Sequence, residues 1–261
     1  EYEMVNPTNE DLTVQMVFPY IGNLGSTFSE NIKITVDNEE IPYEIYFGET
    51  VKSKKVSNDS EETEEDYFDF EEIVGTISND VYIAENFTSD EIGKLYSIEV
   101  TPDSDEGVEI FVDLAFDHSK TKVFTRGFRG LSRDGEKTTI HGWSREQNTL
   151  DIFVLGEDIN FTVEGYRSGN RSEKTSLYKH EIFETEKDVK TYLLETIKNN
   201  SYVSYDDISD TQLYNVFAKA LDDQFTNNLG YCSEDELLTY GNIYRMITLF
   251  YKVEFPQNSV K

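Results

Sequence analysis

The sequence predicts an α+β protein of mainly β character, an antiparallel β-sandwich body with a small C-terminal helical insertion. Three observations lead there. Apolar and polar residues alternate in short runs, most clearly at Val108, Ile110, Val112, Leu114 and Phe116. Turn chemistry punctuates the runs at Asp134-Gly135, Gly156-Glu157-Asp158 and Ser168-Gly169-Asn170. Between residues 185 and 244 the apolar period lengthens to that of a helix.

Taken in order, residues 2–5 and the alternating run Leu12, Val14, Met16 and Phe18 read as a hairpin about the turn Asn6–Asn9, with Pro19 ending the second strand. A second pair follows, Ile32, Ile34 and Val36 returning through Ile41, Tyr43, Ile45 and Phe47 about the turn 37–40. Residues 49–66 hold the acidic, Ser/Thr-dotted run Asn58–Asp66, which has nothing to bury and is expected to be a mobile loop. Phe70, Ile73, Val74 and Ile77 have helical spacing. Serial strands are expected from Leu95 to Phe183, among them 108–116, 123–128, 138–143, 150–155, 159–163 and 175–183. Val189, Tyr192, Leu193 and Ile197 then form a helical stripe within 185–199. Ser209–Gln212 and Ser233–Glu236 have the form of capping boxes ahead of two further helices. Ile247, Leu249, Tyr251, Val253 and Phe255 make a last strand, closed by Pro256.

The expected organisation is therefore an N-terminal β part (1–48), the acidic loop (49–66), and a helix followed by the antiparallel body (67–184). A helical block (185–244) and a return strand packing on the β body (245–261) complete it.

Composition bounds the function. The 261 residues suffice for a core without disulfide staples, and the single cysteine, Cys232, allows no internal bridge. Seventeen Tyr and seventeen Phe favour pleated, half-buried surfaces. Fifty-two Asp and Glu against 23 Lys and Arg give a net charge of −29. Such a surface repels nucleic acid and anionic membranes, and suits solubility, cation accumulation or a basic partner. No stretch is long and apolar enough to be a transmembrane helix. An opening at Glu1 without Met is expected of a product whose leader has been removed or of an excised piece of a longer chain, with any membrane anchor outside this chain.

Tyr2, Asn6, Asp11-Leu12-Thr13-Val14 and Val17-Phe18-Pro19 form an opening of a Tyr strand, an Asn turn, an apolar strand and Phe-Pro. With Thr125–Phe128, Gly142-Trp143 and Phe153–Ile159, this resembles uncharacterised, domain-of-unknown-function families of bacterial secreted or membrane-anchored proteins. The resemblance implies an exported β-sandwich and implies no activity.

Motifs for catalysis are missing. His180-Glu181-Ile182-Phe183-Glu184 lacks the second histidine of a zinc-protease helix and lies in a strand pattern. Gly130-Leu131-Ser132-Arg133 and Gly165–Gly169 misplace the serine of a nucleophile elbow and read as hairpin turns. With so many carboxylates, accidental acidic pairs are certain, so none identifies a glycosidase. Hard cations want several carboxylate oxygens on a turn, which makes Asp103, Asp105 and Asp158 the candidates for Ca2+. Trp143 and Tyr166, in the strand-rich middle, are the candidate ligand-binding rings, since aromatic faces stack on sugars. The expected function is a non-enzymatic extracytoplasmic or cell-surface module for binding or presentation, its partner a surface glycan or protein. The alternatives are a glycan- or peptide-directed hydrolase using an acidic pair, and a structural spacer.

Overall fold

The computed structural model describes residues 4–24, 32–50, 82–86, 90–134, 137–199 and 208–258. The expected acidic loop, apart from Glu49 and Thr50, and the helix expected after it lie outside the described residues. The protein is mainly β with several antiparallel sheets. Strands run in the order β1 (Leu12–Gly22), β2 (Ile34–Val36), β3 (Glu39–Ile41), β4 (Glu44–Thr50), β5 (Ile92–Pro102), β6 (Val108–Ala115) and β7 (Thr121–Arg126). They continue as β8 (Gly130–Asp134), β9 (Lys137–Ser144), β10 (Asn148–Gly156), β11 (Asn160–Tyr166) and β12 (Tyr178–Asp188). Helices α1 (Val189–Lys198) and α2 (Asp210–Asn227) follow, then β13 (Tyr231–Ser233), α3 (Glu234–Tyr240) and β14 (Arg245–Phe255). The chain divides into two units, residues 1–81, 202–213 and 241–261 in one and 82–201 and 214–240 in the other.

In the first unit, β14 is the central strand of a three-stranded sheet, between β1 and β4. The expected return strand therefore pairs with the N-terminal strands, and its register with β1 is continuous from Leu12↔Phe255 to Gly22↔Arg245. Alternation identifies a strand but carries no information about its partner. Pro19 does not end β1, which runs on to Gly22. The strand lies at the sheet edge, where a residue without an N–H can point its missing donor outward. The β2–β3 hairpin turns on Asp37 and Asn38, with φ of 53° and 70°. Consecutive left-handed residues give a turn whose twist matches the strands, and Asp and Asn tolerate that conformation. Ile45, Ile247 and Leu249 form this unit's apolar cluster, with Tyr20, Ile34, Tyr43 and Phe47 packed against it. Buried Asn6 donates from Nδ2 to the carbonyls of Phe255 (3.1 Å) and Glu10 (2.8 Å), tying the 6–10 turn to the end of β14.

In the second unit two sheets share one core. The five-stranded sheet has the order β12-β5-β10-β7-β13 and the four-stranded sheet β11-β6-β9-β8. Ile98, Val100, Leu150, Ile152 and Val123 of the first sheet pack with Val108, Ile110, Val112, Leu114 and Ile140 of the second. Burial is continuous from Leu150 to Leu155 because the five-stranded sheet is covered on its other side by α1. There Tyr192 stacks on Phe153 (centroids 4.5 Å apart, 24° between planes) and meets Phe124 edge-on at 5.8 Å. Beside these rings the buried carboxylate of Asp151 pairs with Arg126 and accepts from Ser97 Oγ at 2.8 Å.

Several boundaries differ from the expected ones. β12 continues to Asp188, so α1 begins at Val189 and not at 185. Asp188 caps it, accepting the Thr191 N–H at 2.8 Å, and an acidic N-cap overrides the apolar stripe as the start signal. Gly130–Arg133 is not a turn but most of strand β8, paired with β9 from Gly130↔His141 to Asp134↔Lys137. Strand β13, parallel to β7, has three residues, too few to show alternation. The capping box at Ser233 forms with both its bonds, and the one at Ser209 with the hydroxyl–amide bond alone, Gln212 Oε1 accepting from Ser209 Oγ at 3.2 Å. Ser233 Oγ accepts the Glu236 N–H at 3.3 Å while Glu236 Oε2 accepts the Ser233 N–H at 2.9 Å, and Ser209 Oγ accepts the Gln212 N–H at 3.3 Å.

Candidate functional site

The site follows from the alternation of β6. Its even-numbered residues fill the core, so Glu109, Phe111 and Asp113 point to the opposite face of the four-stranded sheet. Residues directly opposite one another in antiparallel strands share a face, so the register assembles rows across it. The first row is Tyr166, Glu109 and Trp143. The second is Glu164, Phe111, His141 and Gly130, and the third is Thr162, Asp113, Thr139 and Ser132. Trp143 and Tyr166 thus stand two strand spacings apart, about 10 Å, with Glu109 between them.

The middle of the face is fixed by ring contacts and ion pairs. His141 stacks on Phe111 with centroids 5.0 Å apart and 21° between planes. Its Nδ1 lies 2.7 Å from Glu109 Oε1, which places the ring proton on Nδ1 and leaves Nε2 as the acceptor in the neutral form. Nε2 lies over Gly130, where an added Cβ would stand 1.8 Å from it. The His141 side chain is 31% exposed. Neither His141 Nε2 nor Glu109 Oε2 has a hydrogen-bond partner among the described residues.

The connection after β11 folds back onto this face. Arg167 N–H donates to Glu173 O and Thr175 N–H to Gly165 O, both at 2.9 Å, closing a turn around Ser168–Ser172. From that turn Arg171 (φ 60°) reaches over Phe111 and Tyr166, 5.0 and 5.5 Å from their ring centroids. Its guanidinium grips Asp113 with two bonds, 3.1 and 2.9 Å, and reaches Glu164 at 3.3 Å. Asp113 also accepts from Thr139 Oγ1 at 2.6 Å, and Lys137 Nζ lies 3.5 Å away. The hydrogen bonds from Arg171 and Thr139 hold the Asp113 carboxyl down at about 2, against the opposing effect of burial. Those from Lys174 and Tyr166 hold Glu164 at about 2.

Trp143 is half-buried, its indole resting on Gly107. Gly107 is required there twice over. Its φ is +78°, and a Cβ would lie 2.8 Å from Trp143 Cζ2 and 2.7 Å from the Ser144 carbonyl oxygen. The turn carrying Asp103 and Asp105, both exposed, is therefore Trp143's neighbour. Asp158 is not. It accepts from Lys94 Nζ at 2.7 Å and Tyr96 Oη at 2.6 Å, near the start of β5, while Asp103 follows that strand's end. Nine residues of strand, about 30 Å, separate Lys94 from Asp103. Its partners hold Asp158 below the usual carboxylate range, and its proximity pushes Tyr96, already raised by burial, up to about 12. The three carboxylates proposed for Ca2+ do not converge, and among the described residues no group of three or more His, Cys, Asp or Glu could hold a metal ion. His180 and Glu184 do share a face of β12, but Glu184 pairs with Lys94 at 3.0 Å and His180 stacks on Tyr178. Cys232 is buried in β13, and burial pushes its thiol well up, away from reactivity.

Trp143 and Tyr166 are brought together as a flanking pair, and Glu109, Phe111, Asp113, His141 and Arg171 join them on the face without belonging to any motif in the sequence. No protein-family model matches this chain, and neither a curated protein nor a solved structure does.

Proposed function

We propose that this chain is a non-enzymatic extracytoplasmic or cell-surface binding module whose ligand lies on the outer face of the four-stranded sheet. One observation carries the reading: the half-buried rings of Trp143 and Tyr166 stand in a single cross-strand row on either side of Glu109. Below that row, Arg171, Asp113, Glu164 and His141 are already oriented by one another, so a ligand would meet groups that need little ordering. The chain's acidity and its inert cysteine suit an exported protein.

Asp113 and Glu164 are poorly suited to supply the protonated member of a hydrolase's acidic pair. Asp113 and Glu164 share Arg171, and with pKa values near 2 both are ionised at neutral pH, whereas glycoside cleavage needs one carboxylic acid.

Trp143 is the sole tryptophan, so its emission reports on the site without labelling. The chain is titrated with a panel of soluble polysaccharides and polypeptides, and each mixture is analysed for breakdown products. The expected result is a saturable shift in emission with the polymer intact. Cleavage of the bound polymer by the wild-type chain, abolished in Glu109→Gln, would overturn the non-enzymatic reading.

A further inference from the structure

We infer that the ligand of this face is an uncharged polyhydroxylated chain, a neutral polysaccharide, and not a cationic peptide, an anionic polymer or a metal ion; this rests on the outer face being the binding surface.

The first argument is local charge. The protein carries −29 overall, yet the three carboxylates in the upper three rows of this face each have a cationic or imidazole partner, while exposed Asp134, in the row below with Lys137, has no ion pair among the described residues. Asp113 has Arg171 and Lys137, Glu164 has Arg171 and Lys174, and Glu109 has His141. Three carboxylates meet three permanent cations. At the centre of the face a cationic ligand would have to displace Arg171 from a bidentate pair, the carboxylates without such a partner, Asp103, Asp105 and Asp134, lying at its margins. An anionic one would approach a strongly negative molecule without a free cation on this face to receive it.

The second argument is the free valences. With the imidazole neutral, His141 Nε2 and Glu109 Oε2 are both acceptors on this face, linked through the bond between Nδ1 and Oε1. They ask for hydroxyl or amide donors. Two ligands from one carboxylate and one imidazole are too few for a metal cage. The flanking rings ask for an apolar face on either side of those donors. Sugar rings present hydroxyls at their edges and C–H groups on their faces, and a chain of them spans the 10 Å from Trp143 to Tyr166.

The third argument is that Arg171 is committed. Its stacking over Phe111 and Tyr166 and its bonds to Asp113 and Glu164 make it a positioning residue that holds the face in shape.

The test is affinity electrophoresis of the full chain through gels containing dextran, laminarin or mannan (uncharged), heparin (anionic) or poly-lysine (cationic). Wild type is run beside Trp143→Ala, Trp143→Phe and Tyr166→Ala, with each variant's thermal melt as the control for folding. At least one uncharged polysaccharide should retard the wild type. Its dissociation constant should change less than about twofold between 0.05 and 0.5 M NaCl, since no ion pair forms. Trp143→Ala and Tyr166→Ala should each weaken it at least about tenfold, and Trp143→Phe, which keeps an aromatic face, should weaken it less. Retardation by heparin or poly-lysine alone, lost in Trp143→Ala and suppressed by salt, would overturn the neutral class and leave the binding face standing. Retardation by a neutral polysaccharide that folded Trp143→Ala and Tyr166→Ala variants retain in full would overturn the face itself. Retardation by none of the polymers would overturn the neutral class.

Discussion

Gly130 and His141 form one structural statement. The imidazole is held by the Phe111 ring on its face and by Glu109 at Nδ1, so its Nε2 edge has to lie over the β8 backbone. Only a residue without Cβ leaves room there, since a Cβ would stand 1.8 Å from Nε2. Gly130→Ala should therefore push the ring off Phe111 and Glu109, destabilising by about 1–3 kcal/mol in chemical denaturation. In a His141→Ala background the overlap is gone, and the same substitution should cost less by at least about 0.5 kcal/mol. Equal costs in both backgrounds would mean that the ring is not seated on Gly130. The parts of this cluster were unequally legible. Trp143 and Tyr166 were readable as aromatic residues in the strand-rich middle. Glu109 and Phe111 could have been found, because the alternation from Val108 to Phe116 places both off the core, and an aromatic on that face is a signal. Arg171 could not, because it reaches the face from a turn whose left-handed conformation nothing in its neighbours announces.

At the scale of elements, strand length decides which carboxylates can cooperate. Asp103 follows the end of β5 and Asp158 is held near its start by Lys94, so an eleven-residue strand keeps them apart. Asp103 and Asp105 alone offer too few oxygens for tight Ca2+ binding. Millimolar Ca2+ and chelator should therefore give the same melting midpoint, whereas saturating a native-state site a hundredfold would add about 2.7 kcal/mol and raise it by several degrees. A rise of that size would show that the acidic turn recruits ligands from elsewhere in the chain. The elements themselves were legible where a period lasts, as in β6, β9, β10 and α1, and where caps are explicit, as at Ser209 and Ser233. They were not legible where the decisive information is a partner. β8 looked like a turn because Gly130-Leu131-Ser132-Arg133 has no alternation that outweighs its glycine, and pairing with β9 makes it a strand. β14 looked like an addition to the central body, and pairing with β1 and β4 makes it the middle of the other sheet.

For the whole molecule, two opposed electrostatic effects set the response to pH. A net charge of −29 at neutral pH repels itself, and lowering the pH towards the sequence pI of about 4.3 removes that repulsion. Glu234 acts in the same sense. Burial raises its pKa, so the stability its proton contributes is complete below the unfolded-state value and is lost as pH rises through the folded one. The paired carboxylates act in the other sense. Asp113 and Glu164 sit at about 2 in the folded state against about 4 when unfolded. Their stabilisation is complete above about pH 4 and is lost as pH falls towards 2. The melting midpoint should therefore rise from pH 8 to about pH 5, turn over near pH 4 and fall steeply below it. Raising NaCl to 0.5 M should flatten the upper limb, where long-range repulsion acts, more than the acid limb, which depends on close pairs. Asp113→Asn should lower the midpoint at pH 5 and make the acid limb shallower, since one of the protons that drives it is gone. A midpoint that falls steadily from pH 8 to pH 5 would mean that the paired carboxylates and not the net charge dominate throughout.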